Sequence, residues 1–191
     1  ATNAGGIKAV RYGVTRNQVY AVQIVTPYGD IVDLGSPLKK CSTGYCMEQL
    51  VIGSEGTLGI ITQVTLKLQP LPPYKIDMLA IFHDQMAAIG VVPQLVKAGI
   101  DPTSIEYMDN PNVRTTSEYL EFPGATHIED GIYVIITIET FNEDELDMKM
   151  EQASDICEAA GAVDVLEADE RIWSMRRNCL ESVSLISKVC T

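Results

Sequence analysis

Apolar and polar residues alternate along Gln63–Gln69, with Val64, Leu66 and Leu68 on one side and Gln63, Thr65, Lys67 and Gln69 on the other. A period of two predicts a strand with one buried face. Pro70, Pro72 and Pro73 end it, because proline has no N–H to give to a strand ladder. Leu71–Tyr74 therefore reads as a domain boundary, separating residues 1–73 from residues 74–191. Upstream, Tyr20–Val25 and Ile31–Leu34 are β-rich runs around Thr26-Pro27-Tyr28-Gly29-Asp30, whose Pro and Gly suit a tight turn, and a hairpin is expected. Ser42 and Thr43 are candidate caps for a two-turn helix over Cys46–Ile52, with Gly53 at the left-handed position that follows it.

Beyond the prolines the rhythm runs strand, helix, strand twice. The first passage has a strand at Ile76–Phe82, a helix opened by Asp84 and closed by Gly99, and a strand at Ser104–Met108. Pro93 inside that helix predicts a kink or a break. The second has a strand at Ile132–Glu139, a helix over Glu143–Ala160 closed by Gly161, and a strand at Val163–Leu166. Leu146, Met150, Ala153, Cys157 and Ala160 recur at steps of four and three and form one apolar helix face. A doubled βαβ unit predicts the ferredoxin-like arrangement, a sheet with helices on one side. Between the two passages, Asn110–Asp130 is polar, contains Pro111, Pro123 and Gly124, and reads as a long connection with room for one short helix. A last helix is expected from Asp169 past Leu180, with Ile172, Met175, Cys179, Val183 and Ile186 on its apolar face and Trp173, Arg176 and Leu180 on the flank.

Composition narrows the function. The 191 residues are 46% hydrophobic, enough to supply a core. Acidic residues outnumber basic ones by 26 to 14, for a net charge of −12, without a Lys/Arg cluster, which argues against nucleic acid or anionic membranes as partners. The absence of a long apolar run or a signal-peptide pattern points to the cytoplasm. Five cysteines at irregular spacing, with no CxxC, suggest reduced thiols and no zinc site. The start without Met, in a glycine-rich stretch, and the end at Ser187–Thr191 without a helix stop read as a piece of a longer protein.

Gly53-Ser54-Glu55-Gly56-Thr57-Leu58-Gly59-Ile60-Ile61-Thr62 is the densest glycine segment. It is neither a GxGxxG dinucleotide loop nor a phosphate loop with Lys-Ser/Thr, because the spacing is wrong and no helix follows. Free backbone N–H groups at such a turn can bind cofactor oxygens, or the segment is simply a helix-to-strand connection. His83 and His127 are isolated, no metal set is visible, and Glu143, Asp144, Glu145 and Asp147 read as the solvated acidic start of a helix.

The wider pattern goes further. Asn3-Ala4-Gly5-Gly6, Tyr12-Gly13-Val14-Thr15-Arg16, the Pro27–Asp30 turn, Lys40 with Thr43-Gly44-Tyr45, Gln49-Leu50 and the glycine segment occur in an order and spacing that resemble the FAD-linked oxidases of the vanillyl-alcohol oxidase type. Within that family the pattern is most similar to glycolate oxidase flavin subunits and to D-lactate and D-2-hydroxyglutarate dehydrogenases. The resemblance implies an α+β chain: the second part of an FAD-binding domain, then a truncated ferredoxin-like cap that binds substrate. It implies FAD contacts at Asn3, Ala4, Gly5, Gly6, Gly44, Tyr45, Glu55, Gly56, Gly59, Ile60 and Ile61. The family's main pyrophosphate loop would precede Asn3, so these residues alone are expected to hold FAD weakly or not at all. Cys41, Cys46 and Ser42 stand where relatives often carry Asp, Asp and Asn, and both cysteines read as buried or half-buried small residues.

Arg171-Ile172-Trp173-Ser174-Met175-Arg176 resembles the family's Leu-Trp-x-x-Arg pattern, whose arginine pairs with the substrate carboxylate. A planar guanidinium matches a carboxylate with two parallel donors, which lysine cannot do. Read without the family, Arg176 is more simply a solvated arginine beside Arg177 paired with a nearby Asp or Glu, and only with the resemblance do the two readings stand even. The implied reaction is oxidation of a small 2-hydroxy acid to the 2-oxo acid, with hydride passing to flavin and the catalytic base and metal histidines beyond Thr191. The electron acceptor stays open: an electron-transferring flavoprotein, an iron–sulfur subunit, a quinone or a cytochrome. The alternative is that these residues form a non-catalytic binding or assembly module without FAD, dimerising through apolar surface exposed on the first domain.

Overall fold

The computed structural model describes residues 1–120 and 131–189 of the chain. Its most constrained element is a nine-residue strand, β6 (Ile132–Thr140), buried at every position. The run Ile-Tyr-Val-Ile-Ile-Thr-Ile has no polar alternation, and a strand of that composition is stable only when both of its faces are covered. β6 lies inside a four-stranded sheet in the order β5-β6-β4-β7, where β4 is Tyr74–Phe82, β5 is Ser104–Met108 and β7 is Asp164–Glu167. Every neighbouring pair is antiparallel. β4 and β5, joined by helix α3 (Gln85–Lys97), are separated by β6, the split βαβ of a ferredoxin-like sheet.

The two faces of this sheet carry separate cores. On one, Met78, Phe82, Val134, Ile136 and Ile138 pack with Val91 and Leu95 of α3 and with Leu146, Ala153 and Cys157 of α5 (Glu143–Ala159). On the other, Leu79, Ile81, Met108, Tyr133 and Ile135 meet Val113 of α4 (Asn110–Leu120) and Ile172 and Met175 of α6 (Glu170–Val189). The expectation of helices on one side only is thus corrected. The polar segment after β5 makes a full helix, and α4 packs against α6 to close the second face. Residues 121–130, with Pro123, Gly124 and His127, and the side chains of Val183 and Ile186 lie outside the described residues.

Helix ends follow local chemistry. Asp84 caps α3, its carboxylate accepting from the Ala87 N–H at 2.9 Å. Asn142 caps α5 in the same way, accepting from the Asp144 N–H at 2.8 Å. Gly99 and Gly161, at φ 78° and 98°, take the left-handed conformation just after these two helices. α3 continues through Pro93 as one helix instead of breaking there. The proline is on the exposed side, where water can satisfy the Ile89 carbonyl that loses its intrahelical donor.

Residues Ala1–Leu71 form a separate compact unit from Pro72–Thr191. After a short helix α1 (Ala9–Tyr12), its sheet has the order β2-β1-β3, with β1 at Val19–Val25, β2 at Ile31–Gly35 and β3 at Ile60–Leu66. The hairpin register pairs Val22 with Leu34 and Ile24 with Val32. β3 pairs on the other side of β1, Val22 opposite Val64 and Ile24 opposite Ile61. A small core of Val19, Val22, Ile24, Val51 and Ile52 results, the last two from α2 (Met47–Val51) and the residue after it.

Two expectations fail in this unit. The stripe Val64, Leu66 and Leu68 is 44%, 56% and 92% exposed, because β3 is an outer strand and the five-residue α2 is too short to reach across it. Ser42 and Thr43 do not cap α2, whose N-cap is Cys46 with no side-chain hydrogen bond.

The cysteines divide by burial. Cys157 is fully buried in the α5 face, and burial first, then the neighbouring Glu158 charge, pushes its thiol up to about 11. Cys41 and Cys46 are free and exposed, not the buried small residues expected. A thiol raised in the folded state favours folding fully below its unfolded value, and that contribution is lost as pH rises through about 11. Alkylation at pH 8 should therefore modify Cys41 and Cys46 within minutes, whereas Cys157 reacts only after denaturant is added. Leu95→Ala, at a fully buried site, should cost about 2–5 kcal/mol in a denaturation curve.

Candidate functional site

In the first unit, the segment before α1 is pinned between two others. Asn3 accepts from the Arg16 N–H through its side-chain oxygen at 2.9 Å. The Ala4 carbonyl accepts from the Thr15 N–H at 3.1 Å and the Thr15 hydroxyl at 2.7 Å. The Ala1 carbonyl accepts from the Glu55 N–H at 3.2 Å, and Arg16 Nη2 donates to the Ile52 carbonyl at 2.6 Å. A side chain at Gly53 would meet Arg16 Nη2 at 3.2 Å and Asn3 Cβ at 3.3 Å. The structure therefore brings Asn3 and Ala4 beside the start of the glycine segment, although some fifty positions separate them in the chain.

Backbone strain concentrates at the same place. Asn3 and Glu55 both sit in the left-handed region, at φ 53° and 52°. Such conformations cost an L residue about 1–2 kcal/mol, and the hydrogen bonds above hold them there. Gly6 has open space where a side chain would stand, as does Gly44. Arg16 belongs to the Tyr12–Arg16 motif noted in the sequence, and its Nε is buried without a hydrogen-bond partner, a property that the motif alone does not reveal.

The remaining expected contacts lie apart from this cluster. Gly44 and Tyr45 line a cleft of about 420 Å³ together with Tyr20, Cys46, Gln49 and Lys67. Lys67 is held at its mouth by a 2.7 Å bond to the Asn17 carbonyl and by the Tyr20 ring 5.2 Å away. Gly56 turns at φ 85° with little around it, whereas Gly59, at φ 152°, lies so close to β1 that a side chain would come 2.9 Å from the Val25 carbonyl. Ile60 is exposed at the start of β3, and Ile61 packs on the small core.

In the second unit, Arg176 is on α6. That helix starts at Asp169, whose carboxylate accepts from the N–H groups of Arg171 and Ile172 at 2.9 and 3.1 Å. Burial alone would raise the Asp169 carboxyl, but these bonds and the Arg171 guanidinium, 2.6 Å away, hold it below its usual value. Ile172 and Met175 anchor α6 to the sheet, and Trp173 sits 5.8 Å from Lys75 of β4. Arg176, one turn after Trp173, is half-buried and is paired with an acid, as the simpler expectation has it. Its Nε and Nη2 both donate to Glu106 Oε2 of β5, at 2.6 and 2.5 Å. Arg177, by contrast, is exposed and pairs with Glu170 on its own helix. Glu106 was invisible to sequence reasoning, since nothing in an alternating five-residue strand announces a partner 70 positions away.

Solved structures share this fold. Alkyldihydroxyacetonephosphate synthase superposes over 96% of this chain and 36% of its own, with a TM-score of 0.71 at 22% identity. p-Cresol methylhydroxylase covers 78% of this chain and 34% of its own, with a TM-score of 0.61 at 13% identity. At such identities the likeness is one of fold. The family follows from sequence: residues 71–189 match the C-terminal domain of FAD linked oxidases, and the chain belongs to that family.

Among curated relatives, a D-lactate dehydrogenase of Anaerostipes hadrus is 40% identical across 96% of this chain and 40% of its own length. The glycolate oxidase subunit GlcD of Bacillus subtilis is 33% identical across 95% of this chain and 39% of its own. A D-2-hydroxyglutarate dehydrogenase of Stutzerimonas stutzeri is 29% identical across 96% and 40%. The chain thus spans about two fifths of the length of the curated relatives it matches. No helix among the described residues is long and apolar enough to cross a membrane.

Two measurements check this geometry. Gly59→Ala should lower stability by about 1–3 kcal/mol, because the new Cβ meets a strand carbonyl and the backbone conformation is strained, whereas Gly6→Ala should stay within about 0.5 kcal/mol. A lowered carboxyl contributes stability above its unfolded value near 3.9 and loses it as pH falls through the folded value. The stability difference between the parent chain and Asp169→Asn, read by denaturation at several pH values, should therefore be full at pH 6 and shrink as the pH falls below the ordinary carboxylate range.

Proposed function

We propose that this chain is part of an FAD-dependent dehydrogenase that oxidises a small 2-hydroxy acid to the 2-oxo acid, with D-lactate, glycolate and D-2-hydroxyglutarate the candidate substrates. The observation that carries this reading is the likeness, across nearly the whole chain, to relatives named for these three acids. In this reading residues 1–73 form part of the FAD-binding domain and residues 74–191 part of the substrate cap. Asn3, Ala4, Gly5, Gly6, Glu55 and Gly56 would hold FAD by backbone contacts, Gly59, Ile60 and Ile61 would continue that wall, and Gly44 and Tyr45 would contribute from their cleft. Three features support the fit: the open space beside Gly6, the strained Asn3 and Glu55, and the unpartnered Arg16 Nε. Bound flavin supplies the hydride acceptor. The work of this chain's own residues is to bind and orient, and Arg176 is the group that pairs with the substrate carboxylate.

Further elements of the proposal follow from the same likeness. The GlcD relatives are named as subunits, which supports an electron-accepting partner such as an iron–sulfur subunit or an electron-transferring flavoprotein. The place of action in this reading is the cytoplasm.

The test uses the full-length protein. Anaerobic addition of D-lactate, glycolate or D-2-hydroxyglutarate should bleach the flavin absorbance with at least one of the three. Failure of all three, with flavin bound, would sink the substrate class. Arg176→Ala should raise the KM of the active acid by about 100-fold with flavin content unchanged. Gly6→Ala should lower flavin content while leaving thermal stability of the flavin-free protein unaltered, and full flavin in that variant would remove Gly6 from the cofactor wall.

A further inference from the structure

We propose that Glu106 is a positioning residue for the substrate-binding arginine: it holds one edge of the Arg176 guanidinium so that the other edge is presented to a substrate carboxylate. The inference rests on the reading of Arg176 given above and adds to it a residue that no likeness to known proteins assigns. A guanidinium has two edges that match a carboxylate, Nε with Nη2 and Nη1 with Nη2. Glu106 takes the first of these, with a single oxygen accepting from both Nε and Nη2 at 2.6 and 2.5 Å. Among the described residues the guanidinium has Glu106 as its hydrogen-bond partner, through the first edge, and the Arg176 side chain is 31% exposed while that of Glu106 is 13% exposed. The pair is therefore oriented with the acid inside and the arginine reaching outward.

The holder is rigid. Glu106 is the middle residue of β5, paired with Ile135 of the fully buried β6. Its carboxylate cannot drift as one at the end of a loop could, and it fixes a side chain that otherwise has four rotatable bonds. The surroundings also hold hydrogen-bonding capacity in excess of what the chain uses. Ser104, two residues along the same face of β5 and 1% exposed, has a hydroxyl without a partner, and Trp173, one turn before Arg176 on α6, has an indole N–H without one. Unused donors on the strand that carries Glu106 and the helix that carries Arg176 suit an anionic, oxygen-rich ligand better than they suit a purely structural ion pair.

The experiment compares the parent full-length flavoprotein with Glu106→Ala, Glu106→Gln, Arg176→Ala and the Glu106→Ala/Arg176→Ala double variant, following flavin reduction by D-lactate. Glu106→Ala should raise KM about tenfold with a smaller fall in kcat, the loss expected when a charge-assisted hydrogen bond no longer orients the arginine. Glu106→Gln, whose amide oxygen can still accept from Nε and Nη2, should return KM to within about threefold of the parent. In the Arg176→Ala background, Glu106→Ala should add nothing, since there is no guanidinium left to position. An unchanged or lowered KM in Glu106→Ala would overturn the proposal, the latter by showing that Glu106 competes with substrate. A loss in Glu106→Ala that persists without Arg176 would overturn it as well, making the pair merely structural. If Arg176→Ala leaves KM unchanged, the reading of Arg176 itself fails, a result distinct from either. Should Glu106→Ala lose its flavin, Glu106→Asp replaces it: the charge stays, the reach shortens, and the same KM rise is expected.

Discussion

The second unit depends on keeping β6 dry on both faces. One face is covered by α3 and α5, whose apolar stripes come from two separate βαβ passages, and the other by α4 and α6. The consequence for function is positional. α6 must lie across the sheet to shield Tyr133 and Ile135, and its flank then carries Trp173 and Arg176 over the polar end of the same strands, where Lys75, Asp77, Thr137, Glu139 and Glu106 replace the apolar residues. Thr137 donates to Asp77 at 2.6 Å and Lys75 pairs with Asp77 at 2.7 Å, so this end of the layer is a hydrogen-bonded polar patch and not a continuation of the core. The acid placed under the arginine offsets the desolvation cost of holding a guanidinium in that half-buried position.

Much of this was legible in the sequence wherever a local rule governs. Asp84, Gly99 and Gly161 mark helix ends through capping and left-handed backbone, the strand at Ser104–Met108 is found as expected, and the apolar run from Ile132 locates β6 to within one residue of its end. What escaped depended on tertiary partners. The Val64, Leu66 and Leu68 stripe has the right period for burial, but period reveals which side a residue faces and not whether anything covers that side. α4 was hidden in a polar segment because its buried contacts include Thr116 and Ser117, which no hydrophobicity pattern singles out.

The candidate site divides in the same way. The glycine segment could be located by composition, yet its distinguishing feature, an Asn and a Glu both forced into left-handed backbone and held by bonds between Ala1–Ala4 and residues 15–55, comes from long-range pairing. Arg176 could be nominated from a short motif, while its partner Glu106 appears only once β5 is placed beneath α6. Family membership then supplies what neither periodicity nor geometry can, the kind of cofactor such a chain serves.

The central claim is that Arg176 is the carboxylate receptor of a flavin-dependent 2-hydroxy-acid dehydrogenase. It is tested most directly by titrating the oxidised full-length protein with pyruvate, a 2-oxo acid that does not react, and following the perturbation of the flavin spectrum. The account predicts saturable binding that weakens by about 100-fold in Arg176→Ala at unchanged flavin content. Equal affinity in the parent and the variant would contradict it.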